Sequence, residues 1–232
     1  MRILLIEGGN EMKRFRIVLV LSLILLLAGG CSKASKSTFE PKSNGLFVTE
    51  DGTLSEADIK SYDQNQINYY EESGLKAYVE EAVKGYNNDK AGLNMAYAEE
   101  AGEEQTLPIA IAQCSIAEGN ATVILNYQTY DDFLSFRDKN MVSGITVTGM
   151  NLKKGEEAFA EGSILTQNFV KPDGKAADIK SVKKKKKANV LYVEGSAQIQ
   201  TEGKILFVSE GVEIIDNHTV KTAEGASYIV FN

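Results

Sequence analysis

Few residues in this chain are able to do covalent or proton-transfer chemistry. Its 232 residues include one histidine, His218, and two cysteines, Cys31 and Cys114. A Ser-His-Asp or Cys-His arrangement needs an imidazole beside its nucleophile, and His218 sits in Asp216-Asn217-His218-Thr219, which reads as a turn with a solvated ring. Zinc sites need clustered Cys and His, and the sequence has no such cluster. A calcium loop starting at Asp51 would need glycine in the sixth place, where Glu56 stands instead. Neither a Gly-x-x-x-x-Gly-Lys-Ser/Thr loop nor a Gly-x-Gly-x-x-Gly turn occurs, so no cofactor is expected. Glycoside hydrolysis needs only two well-placed acids, and 32 Asp and Glu leave such a pair open without pointing to one. Tyr62, Tyr69 and Tyr70 form the densest aromatic group and read as rings bordering a core rather than a sugar platform.

The two cysteines read differently. Cys114 lies in an apolar, strand-like run at 109–116, the setting of a buried inert thiol. Cys31 follows Leu27-Ala28-Gly29-Gly30, after an apolar run at 17–27 that is itself preceded by Lys13, Arg14 and Arg16. A basic flank, a short apolar stretch and small residues before a cut make a secretory signal, and the run falls short of the roughly 20 residues that span a bilayer. Leu27-Ala28-Gly29-Gly30-Cys31 resembles the lipobox of bacterial lipoproteins, although Ala28 stands where that pattern prefers leucine. The resemblance implies cleavage before Cys31, which would become a diacylated N-terminus on the outer face of the cell membrane. Glu7-Gly8-Gly9-Asn10-Glu11 back-translates to a purine run like a ribosome-binding site, so Met12 is the expected initiator and the expected source is a Gram-positive bacterium.

These readings divide the chain into a signal peptide at 1–30, a Ser/Lys-rich lipidated tether at 31–44, and an extracytoplasmic domain at 45–232, with a small β unit from about 188 as an option. The domain is expected to be α+β, a mainly antiparallel sheet or meander packed by one amphipathic helix, with short strands in the C-terminal part. Leu75, Tyr78, Val79, Ala82, Val83 and Tyr86 recur at helical spacing, with Ser73 as cap and Asn87-Asn88 as stop. Leu46 to Val48 and Thr53-Leu54 flank an Asp-Gly turn, while 55–61 is open between helix and strand. Residues 89–106 read as loop or frayed helix. Strands are expected at 109–117, 121–129, 145–148, 189–194, 197–200, 205–209, 212–215 and 227–231, and a short helix at 130–137. The lipobox, Tyr69-Tyr70, the helix and the tail of short strands together resemble small lipoproteins of gut Gram-positive bacteria, a resemblance that transfers no active site.

The formal net charge of -7 argues against nucleic acid as a partner. Charge is unevenly spread: Lys183, Lys184, Lys185, Lys186 and Lys187 form an unbroken run, and eight lysines lie within 171–187. The run reads as a solvated loop that is able to touch an anionic surface. The expected function is a non-catalytic binding or interaction module whose partner is an envelope protein, a wall polymer or a small ligand. A carboxylate-dependent enzyme acting on envelope glycans and an accessory subunit of a transporter stay open as alternatives. Oligomeric state is not legible.

Overall fold

The structure, a computed structural model, describes residues 37–62, 71–102, 105–139 and 145–232. The signal segment, Cys31, Tyr69 and Tyr70 lie outside them. Residues 36–232 form one compact unit of the α+β kind, built on two mostly antiparallel sheets.

The first sheet is seeded by two hairpins. β1 (Gly45–Val48) turns through Asp51-Gly52 into β2 (Leu54–Ser61), which settles the open stretch as strand. β3 (Ile109–Ala117) and β4 (Asn120–Tyr127) meet across Glu118-Gly119, with both turn residues at positive φ, and β4 pairs with β2. The alternation of β2 decides its faces. Leu54 and Glu56 point inward beside Leu46 and Val48 of β1 and Leu125 and Tyr127 of β4, while Phe47 and Ser55 point out.

Of the antiparallel sheet or meander expected, mostly antiparallel sheets form, and there are two of them. β5 (Gly149–Lys154) leads into a layer of short helices between 155 and 183. The following strands then alternate between layers: β8 (Asn189–Glu194), β10 (Ile205–Ser209) and β13 (Ala226–Phe231) join a second sheet with β5, β6 (Phe169–Val170) and β7 (Ala176–Ala177). In between, β9 (Gln198–Thr201), β11 (Glu213–Ile214) and β12 (Thr219–Lys221) extend the first sheet, with β9 parallel to β1. The cause is periodicity: β8 and β13 are apolar on both faces, since Leu191, Val193, Ile229 and Phe231 meet the first sheet while Val190, Tyr192, Tyr228 and Val230 meet the helical layer. The strands after 188 therefore complete both sheets. Residues 145–148 are not a strand but run extended beside 194–196, bonded through Thr146 and Thr148.

More than one helix packs the sheets, which corrects the single-helix expectation. α1 (Glu72–Ala91) buries Val79, Val83 and Asn87 against β3 and ends at the left-handed Gly92. It runs past Asn87 because that side chain is spent on tertiary bonds: it donates to the carbonyls of Met95 and Ile109 at 2.8 and 2.7 Å and accepts from the Ile109 N–H at 3.0 Å. Ser73 sits inside the first turn rather than capping it, and Tyr78 is 69% exposed, off the apolar stripe. α2 (Ala98–Ala101) follows, and α3 (Tyr130–Lys139) inserts Phe133 and Phe136 into the first core. α4 (Gly155–Glu161), a short 3-10 turn at Ser163–Thr166 and α5 (Ile179–Lys183) cover the second sheet with Ala158, Ile164 and Val182.

Two close approaches lock one end of the sandwich. A Cβ at Gly203 would lie 1.4 Å from the Asn232 carbonyl oxygen, and one at Gly155 would lie 2.3 Å from the Lys185 carbonyl oxygen. Only glycine allows backbones to pass so near.

Candidate functional site

The reactive side chains are placed in structural roles. Cys114 is 8% exposed on β3, and burial pushes its thiol up from the ordinary value, which opposes thiolate formation. The His218 ring is not simply solvated: Nδ1 lies 3.2 Å from the Thr201 carbonyl oxygen and 3.1 Å from that of Gly203, so it pins the β9–β10 turn. Among the described residues no group of three or more His, Cys, Asp or Glu is placed to hold a metal ion. No described helix is long and apolar enough to cross a membrane.

One polar cluster escaped the sequence reading. Glu56, 2% exposed, accepts a hydrogen bond from the Tyr127 hydroxyl at 2.6 Å and pairs with Arg137 Nε at 3.1 Å. Arg137 also donates through Nη2 to the Ile145 carbonyl at 2.6 Å, and its guanidinium lies 5.3 Å from the Phe133 ring centre. Burial pushes the Glu56 carboxyl up despite the Tyr127 bond and the nearby cation. A raised carboxyl suits a general acid, but this one is enclosed, with Oε2 bonded by Tyr127 and Oε1 in an ion pair with Arg137. It ties α3 to β2 and β4. Nearby, Asp132 accepts from the Tyr86 hydroxyl at 3.0 Å, while burial and that bond push Tyr86 up to about 12.

The described residues also form concave surfaces. One, about 580 Å³, lies between residues 37–43 and the outer face of the first sheet. The segment expected as a tether at 31–44 is in fact docked from Ser37 onward. The Ser37 N–H donates to the Glu202 carbonyl at 3.0 Å, Gln200 Nε2 donates to the Thr38 carbonyl at 2.8 Å, and Phe39 stacks on Phe47 with ring centres 5.2 Å apart. The sequence hides this because Ser, Thr and Lys carry no apolar period, whereas the bonds come from glutamines on β9. Another cavity, about 280 Å³, lies on the outer face of the second sheet under α4.

The lysine run is exposed at all five positions, 183–187, as expected of a solvated loop, but its backbone is fixed. The N–H groups of Gly155 and Glu156 donate to the carbonyls of Ala188 and Lys186 at 2.8 and 2.9 Å. Lys186 and Lys187 share a shallow groove with Lys154, Glu156 and Glu157. The run stands at the same end of the sandwich as Ser37, along a continuous bonded path. Glu202 receives Ser37 at its carbonyl and the Glu50 N–H at its side chain, 2.9 Å; Asn189 Nδ2 donates to the Glu50 carbonyl at 3.2 Å; Lys154 Nζ donates to Asn189 Oδ1 at 2.6 Å. The β6–β7 turn with Lys171 and Lys175 runs toward this end too, since β6 is antiparallel to β10, which starts there.

No family model, no curated protein and no solved structure matches the chain.

Proposed function

We propose that the chain is a lipid-anchored extracytoplasmic binding module, held by an acylated Cys31 and carrying no catalytic centre of its own. The observation that carries this reading is the coincidence of Ser37 and the lysine run at one end of the fold. Six residue steps lead from Cys31 to Ser37, a reach of at most about 22 Å. An anchor at Cys31 would thus hold this end next to the membrane, with Lys183 to Lys187 facing it. Each lysine near an anionic surface contributes about 1 kcal/mol, whereas two acyl chains contribute about 0.8 kcal/mol per buried CH₂ and dominate retention. The lysines therefore orient rather than anchor, and Glu156 and Glu157 beside them offset part of their field. Among the described residues Cys114 is buried and His218 is held by backbone carbonyls, which favours binding over catalysis.

The test has two parts. Cys31→Ala should abolish fatty-acid labelling and release the protein from membranes; continued labelling overturns the anchor. With lipidated protein in vesicles, amine-reactive labelling of the five lysines should be slower on phosphatidylglycerol-containing than on pure phosphatidylcholine vesicles, with the difference erased by high salt. Equal rates on both overturn the orientation.

A further inference from the structure

The cavity under α4 has the build of a small-molecule site. Its floor is apolar, made by Ala158, Ile164 and Val190. One wall is the ring pair Tyr192 and Tyr228, centres 5.4 Å apart and tilted by 53°. Both hydroxyls are engaged: Tyr192 donates to Glu194, and Tyr228 to Ser163 Oγ at 3.3 Å, Ser163 itself lining the cavity. The Tyr192 hydroxyl, held by Glu194, is pushed up to about 12, so the phenol stays neutral and offers a ring face. The rim carries Asn151 and Ser163, which both donate and accept, and the ion pair Lys153–Glu161.

We propose that this cavity binds a single neutral pyranose ring, such as a hexose or N-acetylhexosamine unit. The assignment rests on the binding-module reading and names the ligand class for it. A pyranose has one apolar face of C–H groups and an equatorial belt of hydroxyls, each both donor and acceptor. Tyrosine faces match the first, and an amide, a hydroxyl, an ammonium and a carboxylate at the rim match the second. Lys153 and Glu161 cancel in charge, so the rim gives a phosphate or uronate no net attraction. The volume, about 280 Å³, equals roughly nine waters at about 30 Å³ each, room for one ring. The site is the opposite of the acid pair sought in the sequence, since among the described residues Glu161 is the only carboxylate lining it and is spent on Lys153. Tyr192 and Tyr228, rather than Tyr62, Tyr69 and Tyr70, supply the platform.

The experiment titrates the purified full chain in detergent with glucose, galactose, N-acetylglucosamine and glucuronate, read by calorimetry and by saturation-transfer NMR. At least one neutral sugar should bind saturably with a Kd of about 1–10 millimolar, as expected for a ligand of a dozen heavy atoms. Glucuronate should bind at least fivefold more weakly than that sugar. Tyr192→Phe keeps the ring and should stay within threefold of wild type, whereas Tyr192→Ala and Asn151→Ala, shown by circular dichroism to be folded, should lose tenfold or more. No saturable binding of any neutral sugar to folded wild type, or binding undiminished in Tyr192→Ala, overturns the proposal. Membrane release by Cys31→Ala is scored separately, so failure of the sugar site and failure of the anchored module are distinguished.

Discussion

The two interiors of this fold differ in what they enclose. Every buried charged residue among those described, Glu56, Asp132 and Arg137, lies on or against α3 beside the first sheet. The second interior, between the other sheet and the α4–α5 layer, is formed by side chains such as Ile164, Phe169, Val182 and Val230, with tyrosines at its border. A helix fixed by paired charges has a defined seat, because any shift leaves a desolvated ion alone. A helix fixed by apolar contact loses only the contact. The difference places the rigid, unforgiving part of the molecule around α3, and the part that tolerates a cavity and an exposed lysine loop around α4.

The largest expected break in that comparison is Arg137→Ala. It leaves Glu56 buried without its cation and should destabilise by about 3–5 kcal/mol in urea titration, while a Glu56→Leu, Arg137→Met double variant should recover most of the loss. A single-variant cost below about 1 kcal/mol would show that the cluster is hydrated. In the other interior, Val182→Ala removes two methyl groups from a fully buried site and should cost about 1.5–2.5 kcal/mol from transfer and cavity terms. A cost equal to that of Arg137→Ala would erase the distinction.

The pH dependence sharpens it further. Burial holds the folded-state pKa of Glu56 above the ordinary 4.5, so the folded protein binds that proton more tightly than the unfolded chain. Its contribution is complete below the unfolded value and is lost as pH rises through the folded one. Relative to wild type, Glu56→Gln should therefore gain stability as pH rises from 4.5, by at most about 1.4 kcal/mol per pH unit. Parallel pH profiles of the two proteins would contradict this. The smallest effect is expected from changing all five lysines, Lys183 to Lys187, to glutamine: below about 0.5 kcal/mol, because their side chains are solvated. Loss of cooperative unfolding there would mean that the fixed backbone of the run depends on its side chains.

Local signals were legible where one segment decided its own state. The Asp51-Gly52 and Glu118-Gly119 turns, the Phe133 and Phe136 helix and the apolar strands at 189–194 and 205–209 follow from turn chemistry and β-branched composition. Segments whose state depends on a distant partner were not. α4 has no apolar stripe of its own and stands because Gly155 and Glu156 bond to the carbonyls of Ala188 and Lys186, some thirty residues on. Tyr78 matched the helical period yet faces solvent, since Asn87, a polar residue, took a buried place by saturating the edge of β3. The aromatic grouping sought near Tyr62 could not reveal the Tyr192–Tyr228 pair, because cross-strand neighbours are set by register between β8 and β13.

The sequence by itself determined the single histidine, the two cysteines and their settings, the apolar run at 17–27 followed by Gly29-Gly30-Cys31, and the unbroken run Lys183 to Lys187. Those properties are matters of residue type and short-range order. Only the tertiary structure decided which strands share a sheet, that Glu56, Tyr127 and Arg137 meet, that two tyrosines wall a cavity, and that Ser37 and Lys186 stand at one end. Each of these joins positions far apart in the chain. Such contacts are chosen by the free energy of burying both faces of the second sheet at once, a quantity that no local window contains.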